Sequence, residues 1–387
     1  MAERCPKNVR KVSVALSPED AGHKIMSELT EPVVFTNMLH ASWDKALSLT
    51  PQALASLVPK LETKFKICSK FGSKDYKERF GDQETVFETH CTFVKATFGD
   101  FCEWLEQKTE LSDEEMPEKR KRLSNELLNY SRSDYWVYAD YKYLCNLLEE
   151  APELNHLTDW SVFGIGMETQ DSTLWVGSDG AYTPCHYDTY GCNLVAQLSG
   201  RKQWLLFPPT NTDNLYPTRI PYEESSVFSC VNITNPDLYK HPNYKHTTPN
   251  EVTLNAGEVL FVPRHWWHHV ICLEPSISVN VWIPLPSDPR DRVKEGLVRT
   301  LTSSVISLQS PHSDWLNPTE EIFPFDENIH LLTLALKEEL SSRSRLSGDV
   351  KVMSSDVINS FCHPKVLDQV CQILLDSKDT TVQSQHQ

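Results

Sequence analysis

Between Ser172 and Pro284 the chain reads as short apolar runs, cut at close intervals by Pro, Gly and Asn, with no helical pattern between them. That rhythm excludes alternating strand–helix architecture and leaves an antiparallel double-sheet barrel. Two facing sheets enclose a concave mouth framed by rigid strands, where a small ligand can be held. The chain has 387 residues, and a barrel can take up roughly 200 or more of them as one unit. We expect a mainly β domain with flanking helices over residues 29–285, after an N-terminal segment, residues 1–28.

The flanks are legible in part. The first residues look poorly ordered. Ser17 then reads as a helix cap, with Pro18 at the first helical position and acids in the first turn. Val33-Val34 suggest a first barrel strand, and Thr50 with Pro51 a short helix start. KFKICS, Lys64 to Ser69, alternates as a strand, and the segment after His90 begins as a strand and turns helical after Thr97. Glu110 to Arg122 is a charge run without apolar period, expected as an exposed insertion. Past Pro284 the apolar spacing becomes four. Val293, Leu297, Leu301 and Val305 form one stripe, and Val366, Val370 and Leu374 another. The region 286–377 is therefore expected to be helical, with a disordered tail from 378 to 387. Buried, such stripes pack within the chain; exposed, they serve a homodimer or another partner.

Within the barrel segment lies His186-Tyr187-Asp188. Side chains two apart on a strand share a face, so this His and this carboxylate can meet one ion. A third ligand must come from elsewhere. PRHWWHHV offers His268 or His269, with His268 82 residues after His186. Two imidazoles and one carboxylate, with positions left open, suit non-haem Fe(II) oxygenases, although Zn or Mn fit the same donors.

The block STLWVGSDGAYTPCHYDTYGCNLVAQLSGRKQWLLFPP, with NAGEVLFVPRHWWHHV and SISVNVWI downstream, resembles the JmjC family of cupin-fold oxygenases. It is similar in particular to the asparaginyl hydroxylase of that family. TRIPYEESSVFS and NPDLYKHPNY resemble a branch associated with a small heat-shock protein. The resemblance implies a double-stranded β-helix, the jelly-roll or cupin barrel, followed by a C-terminal helical region. It implies Fe(II) held by His186, Asp188 and His268, the last because the family's ligand directly follows the Trp pair. It implies 2-oxoglutarate as co-substrate, with Thr183, Lys202, Asn193, Tyr138, Asn280 and Trp282 around it; Arg201 takes the place of Lys202 if the register slips. One departure stands out: between Asp188 and Asn193 the chain has TYGC, one residue more than the hydroxylase pattern, which Gly191 can absorb as a bulge. The resemblance further implies a protein hydroxylase with a small heat-shock protein as partner and a role in stress response. The alternatives are a noncatalytic binding protein of that chaperone and an RNA hydroxylase.

Composition narrows the classes. Net charge is −16, from 53 acidic and 37 basic residues, which argues against a DNA-binding surface and against RNA as substrate. The short basic run Lys119 to Arg122 reads as solvated surface. No apolar run of about 18 residues marks a membrane span or secretory signal. Eleven cysteines without CxxC spacing read as reduced thiols, which suggests a cytoplasmic or nuclear protein.

Overall fold

The computed structural model describes residues 6–13, 15–81, 84–107, 125–308, 314–342 and 351–385. Sixteen strands among these form two sheets. The smaller has seven, in the order β1 (Lys7–Asn8), β13 (Asn250–Leu254), β10 (Lys202–Phe207), β15 (Trp267–Cys272), β8 (Tyr182–Asp188), β12 (Ser226–Ser229) and β11 (Pro217–Thr218). The larger has nine: β2 (Arg10–Val12), β3 (Val33–Phe35), β14 (Val259–Val262), β9 (Cys192–Ser199), β16 (Ser276–Ile283), β7 (Thr173–Gly177), β6 (Tyr135–Tyr143), β4 (Glu62–Ser69) and β5 (Thr92–Thr97). Pairings are antiparallel except where β1 joins β13 and β2 joins β3.

The larger sheet is covered on both faces, and its sequence alternates accordingly. On β16, Ile277, Val279 and Val281 join a core shared with Leu54, Phe98, Phe101 and Trp160 of the flanking helices. On β9, Leu194 and Ala196 do the same, whereas Val195 packs inward with Trp204, Leu260 and Val270 between the two sheets. The opposite parity of β16, Ser278, Asn280 and Trp282, faces the barrel interior and lines a cavity there.

The flanking helices begin where side chains can cap them. Ser17 accepts from Asp20 N–H ahead of α1 (Pro18–His23), Thr50 from Ala53 N–H ahead of α2 (Pro51–Leu57), and Thr97 from Asp100 N–H ahead of α3 (Phe98–Leu105). The N-terminal residues, expected to be poorly ordered, instead extend both sheets through β1 and β2. They are polar because they lie at sheet edges, and backbone pairing rather than side-chain burial places them.

Beyond the barrel lie α4 (Asp288–Ile306), α5 (Phe325–Ser342), α6 (Ser354–Phe361) and α7 (Pro364–Gln385). Helices α4 and α5 pack closely: a Cβ added at Gly296 would lie 3.2 Å from Leu332 Cδ1. Val293, Leu297, Leu332, Val352 and Val357 form a small second core there. Leu301 and Val305, the other half of the same stripe, are exposed, as are Leu367, Val370, Ile373 and Leu374 of α7. Helix α7 runs to Gln385, through residues expected to be a disordered tail. No Gly or Pro interrupts the sequence there, so nothing in it breaks the helix. The expected charged insertion, Glu110 to Arg122, lies outside the described residues, as does most of the polar stretch after Ser341.

Candidate metal centre

Strands β8 and β15 pair so that His186 stands opposite His268. Their ring centroids are 4.2 Å apart. Asp188, two residues along β8, brings a carboxylate oxygen to 3.8 Å from His186 Nε2, and one donor atom from each of the three lies within 4.8 Å of the others. Each imidazole is oriented by the backbone. His186 Nδ1 lies 2.8 Å from Pro184 O, and His268 Nδ1 lies 2.9 Å from Trp266 O. A carbonyl only accepts, so both Nδ1 atoms carry the proton and both Nε2 atoms present lone pairs to the same point. Burial holds His186 well below its ordinary pKa, so it is neutral, as a metal ligand must be. Asp188 is held in turn by Trp282, whose indole N–H donates to Oδ2 at 3.1 Å.

His269, the other candidate for the third ligand, follows the strand alternation to the opposite face. Its ring packs 5.7 Å from that of Tyr182, and burial pulls its pKa down to about 4. It belongs to no ligand cluster among the described residues.

A cavity of about 40 Å³ adjoins the three donors. Thr183, Lys202, Asn193, Tyr138, Asn280 and Trp282 all line it. Lys202, at the start of β10 and 2 % exposed, donates from Nζ to Ser278 Oγ at 2.8 Å and to the Tyr138 hydroxyl at 3.2 Å. Among the described residues no carboxylate pairs with it, and burial lowers its pKa. Arg201 points the other way, to the surface, where it pairs with Glu274 at 3.1 Å. Asn280 accepts from Trp175 Nε1 at 2.7 Å and donates to Asn193 Oδ1 at 2.9 Å. The extra residue of TYGC lies in the connection between β8 and β9, not as a bulge inside a strand, because a turn absorbs length without moving the ladder. Gly191 takes φ +73 there. Asn193 still pairs with Trp282 and Lys202 still opens β10, so both reach the cavity.

Several residues here escaped the sequence reading. Ser278 was legible in principle, two before Asn280 on the same strand face. Tyr141 was not. It sits within a β-irregularity in β6, takes φ +52, packs 4.6 Å from Trp175, and donates its hydroxyl to Glu223 at 3.1 Å. Tyr141, Asp188 and Trp282 line both the small cavity and an outer groove of about 450 Å³. Behind Tyr138, the buried Lys66 ammonium bonds both Glu88 and Asp140, an arrangement with no signature in the local sequence.

The donors present fit a divalent metal: two neutral imidazoles and a carboxylate converge, and other positions are left to smaller ligands. The unneutralised Lys202 fits an anion beside it.

Comparison with known proteins agrees with this geometry. Residues 19–286 match the family model described as cupin-like domain. The HSPB1-associated protein 1 homolog of Danio rerio is 43 % identical over 330 residues, covering 84 % of this chain and 68 % of that protein. HSPB1-associated protein 1 of Homo sapiens is 42 % identical over 309 residues, or 78 % of this chain and 58 % of its own length. Against the mammalian relatives the match spans between 58 % and 62 % of their length. Lysine-specific demethylase 8 of Danio rerio is 32 % identical over 186 residues, 46 % of this chain and 44 % of that protein. The matched span covers both sheets apart from their two N-terminal edge strands and contains all three clustered donors, and the chain thus belongs to the cupin-like, JmjC-type domain family.

Proposed function

We propose that the chain is an Fe(II)- and 2-oxoglutarate-dependent oxygenase, a hydroxylase acting on a protein. The observation that carries this reading is the buried, unneutralised Lys202 in the same cavity as the three converging donors. His186, Asp188 and His268 would hold the iron. Lys202, with the hydroxyls of Tyr138 and Thr183 beside it, would hold the far carboxylate of the oxoacid. When bound, iron and oxoacid supply a dioxygen-driven oxidation in which 2-oxoglutarate becomes succinate and CO₂ and a substrate C–H gains oxygen. The protein's own share is orientation and exclusion of water. Pro184 O and Trp266 O fix the imidazoles, and Trp282 fixes the carboxylate. Trp175, Trp204 and Tyr141 wall the cavity, and the outer groove gives a protein segment a path to it.

The test is anaerobic Fe(II) and 2-oxoglutarate binding, followed by succinate release with and without candidate substrates. Stoichiometric binding with substrate-stimulated succinate supports a hydroxylase. Binding without turnover on any protein favours a noncatalytic role, and stimulation by RNA alone favours an RNA hydroxylase.

The relatives' name carries a partner reading as well. We extend to this chain association with a small heat-shock protein and, with it, a role in the stress response. Co-sedimentation of the purified chain with such a chaperone tests it; two independent peaks at micromolar concentrations reject it.

A further inference from the structure

Helix α4 carries three carboxylates on one face, Asp288, Asp291 and Glu295, all 3 % exposed or less. Charged groups are buried so fully only when paired. Each is paired, and each to a different loop around the metal centre. Asp288 Oδ1 accepts from Gly191 N–H at 2.9 Å, in the turn that directly follows Asp188. Asp291 forms an ion pair with Arg264, in the turn that leads through His265 to His268. Glu295 Oε1 accepts from Ser225 N–H at 3.1 Å and pairs with Arg219. Ser225 opens onto β12, whose Ser226 and Phe228 pair with Asp188 and His186.

The three loops are also tied to one another through Thr189. Its N–H donates to Ser225 O at 2.8 Å, and its carbonyl accepts from His265 Nε2 at 2.8 Å. Ser225 and His265 both have positive φ, +62 and +61. Non-glycine residues in that region cost energy and persist only where their surroundings over-determine them. Here the two strained positions are the loop residues that grip Thr189 from either side, and α4 bonds beside each.

We infer that Asp288, Asp291 and Glu295 are positioning residues of the metal centre: α4 is the mounting that holds in register the three loops flanking the ligand-bearing strands and their neighbour β12. This rests on the metal-binding reading above. The consequence is that damage to this face of α4 weakens the metal site more than it weakens the fold.

The experiment compares the full-length parent with Glu295→Ala, Glu295→Gln and Thr300→Ala. Thr300 is as buried on the same helix, but among the described residues its hydroxyl bonds only to Gly296 O within α4, so it controls for stability alone. Two readouts are taken: Co(II) titration followed by visible absorption, and amide exchange of the metal-free chain by mass spectrometry. Glu295→Ala is expected to lose tenfold or more in Co(II) affinity and to speed exchange at the Thr189–Gly191 turn. Glu295→Gln keeps an acceptor for Ser225 N–H and is expected to recover most of both. Thr300→Ala is expected to lower the melting midpoint with affinity unchanged. The inference is overturned if Glu295→Ala binds Co(II) like the parent, or if Thr300→Ala loses as much affinity. Should Glu295→Ala fail to fold, Asp288→Ala decides, since it removes the acceptor of Gly191 N–H: the same loss of Co(II) affinity is expected, and parental affinity there overturns the inference. A parent chain that takes up no Co(II) overturns instead the metal reading beneath.

Discussion

Arg201 and Lys202 are adjacent in the chain, yet one sits in a surface ion pair and the other 2 % exposed beside the metal donors. If Lys202 meets a carboxylate of the co-substrate, Lys202→Ala is expected to leave metal affinity nearly intact and weaken 2-oxoglutarate by about ten- to a hundredfold, as a charge-assisted contact of roughly 1.5–3 kcal/mol implies. Arg201→Ala is expected to change neither, and calorimetry distinguishes the two. The same alternation separates His268 from His269: metal titration of His268→Ala should show a sharp loss, and of His269→Ala little or none. A third residue sets a pH dependence. Burial, with Glu88 and Glu320 near, pushes the Glu223 carboxyl up to about 8 despite hydroxyl donors from Tyr141 and Ser226. An acid whose folded pKa is raised binds its proton more tightly in the native state, so stability falls as pH rises from about 4.5 through 8. Denaturant melts of Glu223→Gln should show that slope flattened in this window; an unchanged slope assigns the dependence elsewhere.

Strands were more legible than helices, for a physical reason. In β9 and β16 the two faces have different destinies, one toward helices and one toward the cavity, and the sequence alternates with period two to match. Caps at Ser17, Thr50 and Thr97 were legible because a single side chain does the capping. Within the region expected to be helical, α6 has no signal of its own because eight residues with one buried position, Val357, leave no stripe to read. The stripes that were visible do not share one fate: Val293 and Leu297 pack against α5, while Leu374 and Val370 face solvent. Ile373 and Leu374, 67 % and 59 % exposed, contribute little to this fold. Ile373→Glu with Leu374→Glu is therefore expected to leave the melting midpoint within about 1 °C and metal affinity unchanged, since exposed substitutions cost at most ~0.5 kcal/mol. A fall of several degrees would show that α7 is covered in solution by another surface.

At the scale of the molecule, the barrel and the helical region are less separable than the change of sequence pattern at Pro284 suggests. Asp288, Asp291 and Glu295 lie just beyond that boundary and are buried against barrel loops, and Asn317 donates to Glu223 at 2.5 Å in the groove wall. Nothing in local composition distinguishes these acids from a solvated helix face; only their partners, distant in sequence, do. A chain ending near residue 286 is accordingly expected to aggregate or to bind metal weakly, and a soluble, metal-tight product would contradict that. Whether one cavity holds a metal and an oxoacid together is decided by anaerobic titration of the intact chain. One Fe(II) per chain, with 2-oxoglutarate affinity that requires the metal and falls in Lys202→Ala, is the expected result. Equal metal binding by the parent and by His186→Ala, Asp188→Ala and His268→Ala would contradict it.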